Sequence, residues 1–179
     1  LTPPAVRELV ASGHHVMVQK NAGMQIDLGD DKYRNAGAEI VETPQEIYAQ
    51  ADLIVKVKEP QSSELPLLRE GQVLFTYLHL APDPVQTKSL MDSGCIAIAY
   101  ETVTDSFGGL PLLAPMSEVA GRMAIQAGAH ALELDQGGCG MLLGGVSGVP
   151  AARVVVLGGG VVGTNAARIA MGVEAHVTV

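Results

Sequence analysis

Aromatic residues make up only 3% of the 179-residue sequence, and tryptophan is absent. The interior must therefore be filled by Val, Leu, Ile, Ala and Met, and an apolar fraction of 47% is ample for a core. Cysteine occurs only at Cys95 and Cys139, with no second Cys or His at metal-ligand spacing. That excludes a disulfide framework, argues against a zinc site, and makes a reducing cytoplasm the default compartment. Lys and Arg together number 11 against 19 Asp and Glu, a formal charge of −8 with no basic stripe, which argues against a nucleic-acid surface. No apolar run reaches the roughly 18 residues of a membrane span, and no signal-peptide pattern is visible.

Glycine, by contrast, is plentiful, at 21 residues. One cluster has a specific context. Arg153 to Leu157 reads as a buried strand, Gly158-Gly159-Gly160-Val161-Val162-Gly163 follows directly, and Thr164 to Ala170 reads as a helix. This is G-x-G-x-x-G between a strand and a helix, the pattern of a dinucleotide-binding turn. Gly158 permits the tight turn, Gly160 admits the pyrophosphate, and Gly163 lets helix pack on strand. The amides of Val161, Val162 and Gly163 at the helix N-terminus then meet the phosphates in a favourable dipole. The acid that binds the ribose is expected about 20 residues on, past the strand Ala175 to Val179.

Ahead of this turn, strands and helices alternate. Helices are expected at Pro4–Ser12, Asp31–Ala36, from Pro44 on, and at Asp83–Asp92. Strands are expected at 16–18, 39–41, 53–57, 73–77 and 95–99. Thr43-Pro44-Gln45-Glu46 is a capping box with Pro at the first helical position. The spacing suits βα units, so a doubly wound, mainly parallel sheet is the simplest architecture, followed by the start of a Rossmann domain. The boundaries expected are a substrate domain at 1–115, a long small-residue helix between domains at 116–134, and the opening of the nucleotide domain at 135–179.

In such sheets ligands bind beyond the carboxyl ends of the strands. Lys58 follows the third strand, His79 the fourth and Glu101 the fifth. A Lys and a His at neighbouring strand ends suit an anionic, carbonyl-bearing substrate, since Lys can pair with a carboxylate and His can trade a proton near neutral pH. Lys56 shares a strand side with Lys58 and is its rival on periodicity. Glu101 reads as a capping or surface carboxylate. His14, His15, His130 and His176 lack a partner pattern.

Five strings in order, Lys56-Val57-Lys58-Glu59-Pro60, Leu74 to Ala81, Ala99 to Val103, Leu110 to Arg122 and Leu142 to Val146, together with the glycine turn, resemble bacterial alanine dehydrogenase over essentially the whole chain. The resemblance implies NAD-dependent, reversible oxidative deamination of L-alanine to pyruvate and ammonium in a cytoplasmic homohexamer. It casts Lys58 as substrate-binding and His79 as catalytic. Tyr77 joins the substrate pocket, and Ser117 contacts the cofactor along with Gly158, Gly160, Val161, Val162 and Gly163. The family's carboxylate-binding Arg precedes the string matching Leu1-Thr2-Pro3. Its catalytic Asp lies in the later part of the nucleotide domain, and its C-terminal segment returns to the first domain. Cys139 stands where the family usually has Arg, and Ser147 where it usually has Pro. The 179 residues alone are therefore expected to be inactive, as an incomplete stretch of a longer enzyme. Two other readings remain: the NAD(H)-binding subunit of proton-translocating transhydrogenase, and a non-catalytic nucleotide-binding half-enzyme.

Overall fold

The computed structural model describes residues 1–179. They form two compact units, Leu1–Val103 and Thr104–Val179. All pairing between strands is parallel.

The first unit opens with α1 (Pro3–Ala11), which starts at two prolines whose missing N–H groups cost a first turn nothing. Val6 is its fully buried knob. Strand β1 (Met17–Gln19) and β2 (Glu39–Val41) pair with Val18 opposite Ile40, joined through α2 (Asp30–Arg34). Their core gathers Val6, Val16, Val18, Tyr33 and Ala38. Helix α3 (Pro44–Gln50) carries the expected capping box: the Thr43 hydroxyl accepts from the Glu46 N–H, and the Glu46 carboxylate accepts from the Thr43 N–H. A second parallel set follows, in the order β3 (Leu53–Val55), β4 (Val73–Thr76) and β5 (Ile96–Ala99). Helix α4 (Pro84–Ser93) precedes β5, capped by Asp83 at its start and by left-handed Gly94 at its end. Leu74, in the middle strand, is fully buried among Tyr48, Ile54, Leu68, Leu78 and Leu90.

The parallel α/β class is as the sequence predicts, its strands divided among separate sheets. The strand ladder breaks between β1 and β3, leaving a two-stranded and a three-stranded sheet. A cavity of about 650 Å³ lies at the break, lined by residues of β1, β3 and α3. The buried Tyr48 hydroxyl beside it has no hydrogen-bond partner. Burial first, and then the Glu64 charge, push its ionisation above the ordinary tyrosine range.

In the second unit, α5 (Ala114–Ala131) packs along α6 (Val161–Gly172), while β6 (Arg153–Val155) pairs with β7 (His176–Thr178). The contact is close because Gly121 faces the α6 backbone: a Cβ there would lie 2.2 Å from the Val162 carbonyl oxygen. The segment between α5 and β6 holds a short 3-10 turn at Leu134–Gln136 and one bridge between Val146 and Val149. No helix is long and apolar enough to cross a membrane.

Candidate functional site

In the first unit the carboxyl ends of β3 and β4 carry the candidate side chains. Strand β3 ends at Val55, earlier than expected, and β4 at Thr76. Beyond them a side chain takes over part of the ladder's work. The fully buried Thr76 hydroxyl lies 3.0 Å from the Val57 carbonyl and 2.9 Å from that of Lys58, and the Tyr77 N–H donates to Val57 at 3.2 Å. The backbone bearing Lys58 is thereby bound to the strand that leads to Tyr77 and His79. Thr76 was missed in the sequence; a lone hydroxyl at the end of an apolar strand was the available signal.

The structure separates the two rival lysines. Lys56 forms a close ion pair with Glu64, their side chains only 22% and 14% exposed. Lys58 is exposed and makes no ion pair. Tyr77 is buried and meets Tyr100 edge to face, with ring centroids 5.0 Å apart; Phe75 meets the same ring at 4.3 Å. Burial, and then Tyr77, raise the ionisation of Tyr100 above its ordinary value.

His79 is exposed on the turn after β4, with backbone in the left-handed region at φ 47°. Glu101 reaches this turn from the 3-10 segment Tyr100–Thr102 that follows β5. Its carboxylate accepts from the His79 N–H at 2.8 Å and the Leu78 N–H at 3.0 Å. On the opposite side, the buried Gln86 amide donates to the Leu78 carbonyl at 2.5 Å. The sequence marks Glu101 as capping or superficial; the groups it caps lie more than twenty residues away, as the 22-residue separation from His79 shows.

The second unit builds the glycine turn. Gly158 is left-handed at φ 100°, and a Cβ on Gly158 or Gly160 would meet nothing within 4 Å. The space over these two residues is open. Gly163 is the opposite case: a Cβ there would fall 1.8 Å from the Gly158 carbonyl oxygen. Helix α6 starts at Val161, three residues earlier than expected, with Gly160 as its N-cap and no side chain capping it. The first-turn amides of Val161 and Val162 are thus left to a ligand or solvent. Asn165, buried on α6, donates to the Val161 carbonyl at 2.9 Å and accepts from Arg122 of α5 at 3.2 Å, so α5 braces the turn. Ser117 sits half-buried on the first turn of α5. The arrangement fits a dinucleotide pyrophosphate: backbone donors, open glycines, and no carboxylate within the turn.

The family model for the alanine dehydrogenase/PNT N-terminal domain matches residues 1–120, and the model for the alanine dehydrogenase/PNT C-terminal domain matches residues 124–179. The chain belongs to the alanine dehydrogenase/PNT family. It is 58% identical to an alanine dehydrogenase of Halomonas elongata, 55% to one of Methanococcus maripaludis and 54% to one of Mycobacterium tuberculosis, each over all 179 residues and 48% of the relative. The chain therefore spans about half the length of the curated relatives it matches. A solved L-alanine dehydrogenase superposes with TM-score 0.88 at 49% identity, over 98% of this chain and 48% of that one. A transhydrogenase from Sinorhizobium meliloti superposes with TM-score 0.79 at 24% identity, over 98% and 50% of the two chains. That second likeness within the alanine dehydrogenase/PNT fold is one of fold alone.

Proposed function

We propose that this chain is the substrate-binding and early nucleotide-binding portion of an NAD-dependent alanine dehydrogenase. The full protein would convert L-alanine, water and NAD⁺ to pyruvate, ammonium, NADH and a proton, reversibly, as a cytoplasmic homohexamer. One observation carries the reading. An exposed, unpaired Lys58 and an exposed His79 stand at the carboxyl ends of neighbouring parallel strands, tied together through Thr76. Likeness to several alanine dehydrogenases across the whole chain supports it.

The residues divide the work. The Lys58 ammonium pairs with the substrate carboxylate, a point charge on a flexible stem. The His79 imidazole holds and returns a proton at the oxygen that becomes the pyruvate carbonyl. Tyr77, held against Tyr100, supplies a rigid pocket wall. Gly158 and Gly160 leave room for the pyrophosphate, the Val161, Val162 and Gly163 amides donate to it, and Ser117 adds a cofactor contact. When bound, NAD⁺ supplies the hydride acceptor.

The test is L-alanine-dependent NADH formation by a full-length protein carrying this sequence. Turnover is expected, with a loss of about 10²-fold or more in kcat on His79→Ala. Absence of alanine-dependent NADH from the unaltered protein would overturn the reading.

A further inference from the structure

His79 occupies a backbone region that L-residues with a Cβ rarely adopt, at φ 47°. Glycine would meet that geometry without strain, so a histidine there must be held by its surroundings. Glu101 holds it from one side. A single carboxylate accepts two consecutive amides, those of Leu78 and His79, and its second oxygen also lies 3.3 Å from the Leu78 nitrogen. Gln86 holds the other side through the Leu78 carbonyl, and is itself only 2% exposed. Thr87 adds a hydroxyl bond to the Leu80 carbonyl at 3.1 Å. The three consecutive residues of the turn are therefore fixed by side chains from two different elements. Desolvation works to raise the Glu101 pKa, but hydrogen bonds from the His79, Glu101 and Leu78 backbone, with the charge of His79, outweigh it and bring it below the ordinary carboxylate value. The clamp is thus an anion at neutral pH.

We infer that Glu101 is the positioning residue of His79: by accepting the Leu78 and His79 amides, it locks the left-handed turn that sets where the imidazole leaves the sheet. The inference rests on the alanine dehydrogenase reading for what the imidazole does, and on geometry for the clamp. Proton transfer depends steeply on distance, so a loosened turn lowers kcat while substrate capture by Lys58 persists. Glu101 touches no substrate in this scheme.

A double-mutant cycle in the full-length protein tests it, using Glu101→Gln, Glu101→Leu and each combined with His79→Ala. Glu101→Gln keeps an acceptor oxygen and loses the charge; Glu101→Leu loses both. Expected are a drop in kcat for alanine of about tenfold with Gln and more with Leu, the KM for alanine staying within about threefold. In the His79→Ala background either substitution should add nothing. Equal losses in both backgrounds, or no loss in the first, would overturn the inference. Hydrogen exchange of the Leu78 and His79 amides gives a readout independent of turnover, expected to speed up by about tenfold or more in Glu101→Gln. If the unaltered protein does not turn over alanine, the functional reading falls. The clamp then stands or falls on exchange: unchanged rates at Leu78 and His79 overturn it.

Discussion

The two units close their interiors by opposite means. In Leu1–Val103, large side chains fill the space: Val6, Leu74 and Leu78 are all but inaccessible, and the core forms two clusters against parallel strands. In Thr104–Val179, small residues let backbones meet. Its cluster is Ile125, Ala166 and Ala170, and Gly121 brings α5 onto the Val162 carbonyl. Phe107 and Leu157 meanwhile remain 96% and 95% exposed. The two chemistries follow the two kinds of packing. In the proposed function, side-chain chemistry at Lys58 and His79 would use a sheet that presents long groups. The proposed backbone contacts at Gly158–Gly163 would require side chains to be missing at the glycines, and the α5 helix that supports the turn approaches it through Gly121.

That contrast can be broken by mutation. The largest effect is expected from Leu74→Ala in the first unit, which empties the centre of β4 and should cost about 2–5 kcal/mol in chemical denaturation. A Leu-to-Ala change is a loss of filling, and the cost grows with the cavity left behind. Gly121→Ala in the second unit should cost about 1–3 kcal/mol although it adds a single carbon, because the neighbour is a backbone carbonyl that cannot rotate away. Stabilisation by Gly121→Ala would break the comparison; a loss confined to α5 and α6 in exchange mapping would sharpen it. The smallest effect is expected from acid. The folded pKa of Glu101 lies below its ordinary value, so its contribution is complete above that ordinary value and is lost as pH falls through the lowered one. Protection of the Leu78 and His79 amides should fade over that acidic window. The Gly160–Gly163 turn carries no carboxylate and should show no matching step.

Local patterns were legible and distant pairings were not. The Thr43–Glu46 capping box is written within four residues, and the structure contains it. The strand at Glu39–Val41 falls where its β-branched pair predicts. Strand β3 stops short of the expected Val57, and beyond it the Val57 and Lys58 carbonyls face the Thr76 hydroxyl, a partner 19 and 18 residues away by sequence that no periodicity reveals. The break between β1 and β3 was hidden for a related reason: βα spacing signals parallel strands without saying which ones pair. At the candidate site, sequence position picked out Lys58 and His79 as strand-end residues, but left Lys56 level with Lys58 until its ion pair with Glu64 was seen. Helix α6 begins directly after Gly160 rather than at Thr164, because its first turn forms part of the glycine cradle, where β-branched Val161 and Val162 read as poor helix formers.

The Thr76 hydroxyl has one more consequence. Two loops that leave separate strands would ordinarily wander independently, and a ligand that needs both would have to still each one as it binds. By joining the carbonyls of Val57 and Lys58 to the strand that ends just before Tyr77 and His79, one buried oxygen turns two sets of motions into one. The relative freedom of the backbones that bear Lys58 and His79 is reduced when the chain folds, before any ligand arrives.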